Sequence, residues 1–334
     1  KYVLMEIYMR KILLASTALV AVAGISAANA EISLSGGYDF EYTSVSDDQT
    51  DNTTAGENGT SMSSDIDLAA SYSTTTDTGL SISVSYDIDG DTGSASLGGD
   101  FGTITMDDGN EAMGIGGGDA DSVSNMGIVG DNTIAYSGGE AINGGIIAYS
   151  NTFGGIEFGI GFGDGGVASD ADETSYGVSY SSSVNGADFS IGYASASTGS
   201  ANDAVASADL NASSLAVDVS VGNISISMAR NAQKSDRNDD NASATGTNDL
   251  SSTNFGLSYA ISDSLTLQAA SVAADGTEDG SADYKYDESA YGISYTVASG
   301  VSLDISYSDF TQSGGGGNTD VSGSGTTVAL GVSF

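Results

Sequence analysis

The sequence holds no Cys, no His, no Pro and no Trp. Without Cys there is no disulfide frame and no thiolate metal site. Without His as well, the common nucleophilic triads and zinc centres have no residues to build them. Basic side chains are scarce: 7 Lys+Arg stand against 45 Asp+Glu, a formal net charge of -38. Such a surface excludes nucleic acid as a partner and suits divalent cations or cationic solutes. Plain solubility or salt tolerance would explain the same balance. After residue 30 there is no long apolar run, which excludes a transmembrane helix. A transmembrane barrel is not excluded, because its strands carry only a weak two-residue period.

What is present begins with a leader. Arg10 and Lys11 follow Met9, Ile12 to Val22 is apolar, and Ala28-Asn29-Ala30 closes the segment. A basic start, a short apolar run and a small-x-small end predict a secretory signal peptide over residues 9–30, cut before Glu31. Residues 1–8 read as an upstream over-call, with Met9 as the start. Cleavage removes Lys1, Arg10, Lys11 and Glu6, so the formal net charge moves from -38 to -40. Arg230, Lys234, Arg237 and Lys285 are then the only basic residues. A secreted chain without disulfides needs another source of stability, either a large core or a closed hydrogen-bonded barrel.

Residues 31–334 alternate. Ile32, Leu34, Tyr38, Phe40 and Tyr42 fall on one parity, and Glu31, Ser33, Ser35, Asp39 and Glu41 on the other. In a strand these parities face opposite sides. The same pattern returns in Ile66, Leu68, Ala70 and Tyr72, in Leu80, Ile82, Val84 and Tyr86, and in hairpin after hairpin to Val328, Leu330, Val332 and Phe334. One interruption is long: after Thr103 to Met106, residues 107–144 are rich in Gly, Asp, Asn and Ser. An insertion of that length in a compact domain is functional or signals a wrong assignment. The count is sixteen strands if Thr133 to Tyr136 belongs to the insertion and seventeen if it is a strand. A closed meander with both termini on one side needs an even number, so sixteen is expected, each strand spanning roughly 8–12 residues. Short turns would lie at one end and longer connections at the other. The predicted fold is therefore all-β: a transmembrane antiparallel up-and-down β-barrel over residues 31–334, with the third loop folded inward. Its Ile, Leu, Val, Phe and Tyr face would meet lipid, and its Ser, Thr, Asp and Gly face would line water. Tyr42, Tyr72, Tyr86, Tyr149, Tyr180, Tyr193, Tyr295 and Tyr307 recur near strand ends, as interfacial girdles do, although Tyr also favours strands in general.

Several stretches resemble the Gram-negative general porins of the alphaproteobacterial type. EISLSGGYDF is similar to the family's first strand. TDTGLSISVSYDIDGDTGSASLGGDFGTITMDD is similar to its next hairpins and the strand entering its constriction loop. IIAYSNTFGGIEFGIGFGDG is similar to the hairpin after that loop, and Leu330, Val332 and Phe334 match its outer-membrane assembly signal. The resemblance spans residues 31–334. It implies a sixteen-stranded homotrimer in the Gram-negative outer membrane, assembled by the barrel assembly machinery through its C-terminal strand. It also implies passive diffusion of small hydrophilic solutes past a constriction at about 107–144.

On this resemblance Asp107, Asp108, Glu111, Asp119 and Asp121 would form the acidic side of the constriction, selecting by charge. Asp39, Glu41, Asp65, Asp67, Asp87 and Asp89 take the inward parity and would line the pore wall. Family constrictions set acidic residues against a basic wall, and the early strands here offer none. Either the pore is acidic throughout, or Arg230, Lys234 and Arg237 form a basic patch reaching over the pore mouth. No catalytic set is visible. Asp87, Asp89 and Asp91 suggest a calcium loop, but Thr92 stands where Gly is needed and Gly98 where Glu is needed. Loose calcium binding at acidic loops is left unplaced, and no cofactor is expected. The expected function is a water-filled, cation-preferring outer-membrane porin. The alternative is a secreted, soluble, acidic β-rich adhesin or surface-layer protein stiffened by calcium.

Overall fold

The computed structural model describes residues 31–47, 59–88, 93–106, 147–163, 173–198, 209–237, 246–278, 283–313 and 321–334. The strands are β1 (Glu31–Asp47), β2 (Gly59–Thr75), β3 (Ser81–Asp87), β4 (Gly93–Gly99), β5 (Gly102–Met106), β6 (Ile147–Phe153), β7 (Ile156–Gly163) and β8 (Glu173–Val184). They continue with β9 (Ala187–Thr198), β10 (Asp209–Val221), β11 (Ile224–Arg237), β12 (Gly246–Ser262), β13 (Leu265–Glu278), β14 (Tyr284–Ala298), β15 (Val301–Ser313) and β16 (Val321–Ser333). Each pairs antiparallel with its neighbour in sequence, and β1 pairs with β16 to close the barrel. Closure gives every strand a hydrogen-bonded neighbour on both sides. Sixteen strands match the even count expected from the sequence.

Two-residue periodicity sets the faces. Along β11, Ile224, Ile226 and Met228 are 44%, 38% and 55% exposed and point outward. The alternate Ser227 and Ala229 are 1% and 2% exposed and point inward. A large apolar side chain has no place in a water-filled interior but matches lipid, so the alternation fixes which parity faces out. Outward tyrosines and phenylalanines meet across strands: Tyr176 and Tyr193 lie with ring centroids 6.2 Å apart, Tyr180 and Phe189 5.8 Å apart.

Tight turns join β2 to β3, β4 to β5, β6 to β7 and so on to β14 and β15, all at one end of the barrel. The Asn185–Gly186 turn has φ of 53° and 82° at its two residues, the left-handed pair that a two-residue hairpin requires. The start of β1 and the end of β16 meet at the same end. Gly36 N donates to the Phe334 carbonyl and Phe334 N to the Gly36 carbonyl, both at 3.0 Å.

Strand lengths depart from the uniform expectation. They run from 5 residues in β5 to 17 in β1, β2 and β12. The long strands continue past their apolar stripe with outward Ser, Thr, Asn and Asp: on β12 the outward series Tyr259, Leu257 and Phe255 runs on into Thr253, Ser251 and Asp249. Hydrogen-bond pairing does not stop where the apolar band stops, so hydropathy alone underestimates these strands. Residues 1–30, with the expected signal peptide, lie outside the described residues. So do Thr133 to Tyr136 and the whole insertion.

Candidate functional site

The inner wall of β1 to β3 gathers the acidic residues picked out by parity. Asp39 stands directly opposite Asp65, and Glu41 opposite Ser63. Asp67 pairs with Gly37, and Asp87 with Ala69 on the neighbouring strand. All share the inward face; Asp39, Glu41, Asp65 and Asp67 are exposed and Asp87 is half-buried. Two glycines give the carboxylates room. A Cβ on Gly37 would lie 3.8 Å from Asp67 Oδ2 and 4.0 Å from Asp39 Oδ2, and one on Gly331 would lie 3.1 Å from Asp39 Oδ1. Thr43 Oγ1 donates to Glu41 Oε1 at 2.9 Å, and the Ile66 backbone N–H donates to Asp65 Oδ1 at 3.0 Å. Asp89 lies outside the described residues, as do Asp107, Asp108, Glu111, Asp119 and Asp121.

The wall across the barrel differs. Along the middle of β9 to β12 the inward residues are small or amide-bearing and buried: Ala194 at 0%, Ala212 at 2%, Ser252 at 3% and Asn254 at 2% exposed. Farther along, Tyr286 is 1% exposed, donates a hydrogen bond from its hydroxyl to Glu288, and stacks on Phe310 with centroids 6.4 Å apart. β1 to β3 therefore build an accessible acidic wall.

Further inward carboxylates lie beside the tight turns. They were not picked out from the sequence. Glu157, Asp188, Asp218 and Asp304 alternate with outward Phe158, Phe189, Val217 and Leu303. Ser190 Oγ donates to Asp218 Oδ2 at 3.0 Å, and Ser183 Oγ donates to Asp188. The signal was the same alternation that exposed Asp39. No inward Lys or Arg occurs among the described side chains.

The basic residues sit elsewhere. Arg230 pairs with Leu215 and Thr253, and Lys234 with Asn211 and Asp249. Both continue the outward series of Ile224, Ile226 and Met228, so they face the outside of the barrel and not its lumen. Parity places these two on the opposite side of the sheet from Asn231 and Gln233. Of Arg237 only the backbone is described, at the end of β11. Lys285 pairs with Asp275 and is also outward.

Leu330 stands opposite Phe40 and Val332 opposite Tyr38 at the β1–β16 seam, where Phe334 follows. Among the described residues no three carboxylates converge as metal ligands.

A sequence profile of the Gram-negative porins matches residues 15–315. The chain belongs to that family. Porins are channels of the Gram-negative outer membrane, and this is where the barrel resides. No curated protein sequence matches it. Among solved structures, a porin refined at 1.8 Å resolution is 18% identical, with a TM-score of 0.62 over 91% of this chain and 100% of that one. An anion-selective porin from Comamonas acidovorans is 16% identical, with a TM-score of 0.66 over 92% of this chain and 100% of that one. The trimer form of OmpT from Vibrio cholerae is 12% identical, with a TM-score of 0.64 over 91% of this chain and 99% of that one. At these identities the likeness establishes the fold, and this porin's charge pattern must be read from its own wall.

Proposed function

We propose that this porin is a passive, cation-preferring diffusion channel for small hydrophilic solutes. The observation that carries the reading is the accessible inner wall of β1 to β3. It presents Asp39, Glu41, Asp65, Asp67 and Asp87 with no basic side chain among the described inward residues. Fixed carboxylates along a narrow aqueous path raise the local cation concentration and repel anions. No bond is made or broken in such transport, and the chain has no His or Cys to suggest otherwise.

The remaining parts of the reading rest on sequence and family. Residues 107–144, between β5 and β6, are proposed as the constriction, with Asp107, Asp108, Glu111, Asp119 and Asp121 adding to its acidity. A homotrimer is proposed by analogy with the OmpT trimer form. Residues 9–30 are proposed as the export signal. Leu330, Val332 and Phe334 are proposed as the strand read by the assembly machinery. Calcium at the acidic loops fits the charge but has no assigned ligands.

Planar-bilayer recordings in a potassium chloride gradient test the selectivity. The expected result is a reversal potential of the sign set by potassium, with a permeability ratio several-fold above one. A chloride-signed potential would overturn the cation preference while leaving the channel assignment intact.

A further inference from the structure

Two adjacent hairpins bring inward carboxylates together beside their tight turns. β8 joins β9 through Asn185 and Gly186, and β10 joins β11 through Gly222 and Asn223. Alternation puts Asp188, Ser190, Asp218 and Ser220 on the lumen side, because Phe189, Ile191, Val217 and Val219 beside them face out. On β9 and β10, Ser190 stands opposite Asp218, and Asp188 opposite Ser220. The two carboxylates are therefore diagonal neighbours on one face, about 7–8 Å apart at the backbone. In outer-membrane barrels the tight turns are periplasmic, so the pair faces the inner end of the pore.

These side chains, with Ser181 and Ser183, line an open depression of about 390 Å³. Ser190 Oγ donates to Asp218 Oδ2 at 3.0 Å and Ser183 Oγ donates to Asp188, so a hydroxyl orients each carboxylate. Among the described residues no basic side chain lines the depression. Ser227 stands directly opposite Asp218 on β11 and shares its inward parity. It is 1% exposed, and its Oγ has no hydrogen-bond partner among the described residues. A buried hydroxyl left in that state is costly unless a group held in the site bonds to it.

We infer that this cradle binds a hydrated divalent cation. Two fixed carboxylates match its charge, whereas a monovalent ion would match one and an anion neither. The surrounding serine hydroxyls suit the waters that magnesium keeps when one or two carboxylates hold it. An ion with six waters, at about 30 Å³ each, fits the depression and spans the diagonal between Asp188 and Asp218. The inference deepens the cation preference proposed above and rests on that reading. The β1 to β3 wall attracts any cation, and the cradle adds a distinction by valence.

The test uses the full chain, its fold checked by heat-modifiable gel mobility. Potassium conductance is recorded in planar bilayers while magnesium chloride is titrated into potassium chloride. A saturating fall in conductance is expected. Asp188→Asn combined with Asp218→Asn is expected to raise its midpoint roughly tenfold, since a divalent ion feels each lost charge twice over. Ser190→Ala with Ser227→Ala keeps both charges and is expected to raise the midpoint as well, which screening alone would not do. Asp39→Asn with Asp65→Asn is expected to leave the midpoint in place, because those residues lie on other strands, beyond a Debye length of about 10 Å at 0.1 M salt. A fall that never saturates, a midpoint unmoved by either cradle variant, or an equal shift from the wall variant overturns the site. A potassium-signed reversal potential without a saturating fall sinks the site and leaves the cation preference standing. A chloride-signed potential with the fall intact sinks the preference and leaves the site.

Discussion

Gly36 lies where the last strand meets the first. It occupies an outward position between Leu34 and Tyr38, yet it carries no side chain, and the ring of Phe334 fills the space. A Cβ on Gly36 would come within 2.8 Å of Phe334 Cζ and 2.8 Å of the Asp67 carbonyl oxygen. The ring can swing aside, because Phe334 is 75% exposed, but the backbone carbonyl cannot. Gly36→Val should therefore strain the seam that closes the barrel, at a cost of about 1–3 kcal/mol. The measurement is the temperature at which the folded, fast-migrating gel band converts to the unfolded one. A lower conversion temperature is expected for Gly36→Val, with only partial recovery when Phe334→Ala is added. Full recovery would mean the ring alone sets the clash, and no loss at all would mean the seam has slack.

At the scale of the strand, the pair Asp39 and Asp65 is a direct cross-strand contact between like charges. Such pairs destabilise a sheet by about 0.2–1 kcal/mol, so the wall keeps them against its own stability. Asp65→Asn should raise the heat-modification temperature at low ionic strength and reduce cation preference in the same protein. A variant that gained stability without losing selectivity would separate this pair from conduction. The inward parity of these residues was legible in the sequence because an apolar residue follows each: Ile66 after Asp65, Leu68 after Asp67, Ile88 after Asp87. Sixteen strands and their order were legible for the same reason. Arg230 and Lys234 take the outward parity of Ile224, Ile226 and Met228, which lead directly to them. Glu157, Asp218 and Asp304 carry the same signal, each between two apolar residues of an alternating series, and Asp188 opens such a series with Phe189, Ile191 and Tyr193. The true ends of β1, β2 and β12 were not legible at all. Beyond the apolar band both faces of a strand are polar, and a pattern with no contrast carries no register.

For the whole molecule, the fold and the selectivity are separate variables. A porin described as anion-selective shares this barrel with a TM-score of 0.66 at 16% identity, so the proposed cation preference rests on the lining side chains and not on the sheet. Among the described side chains of the strands, and apart from buried Glu288, the inward carboxylates form two groups. One is the β1 to β3 wall, with Asp39, Asp65 and Asp87 among its members, and the other is Glu157, Asp188, Asp218 and Asp304 beside the tight turns. Both lie along the same aqueous path and each acts over a Debye length of about 10 Å at 0.1 M salt. Selection should therefore be shared. Converting the wall aspartates to Asn should lower the potassium-to-chloride permeability ratio in part. Converting the turn group to Asn and Gln should lower it in part as well, and the two sets together should lower it further than either. Raising salt to about 1 M, where the Debye length falls to about 3 Å, should erode the wild-type preference by screening both groups. Loss of all preference on changing one set alone would show a single filter in place of a distributed one. A preference unmoved by salt would indicate selection by direct coordination, which isolated carboxylates on a wide wall do not provide.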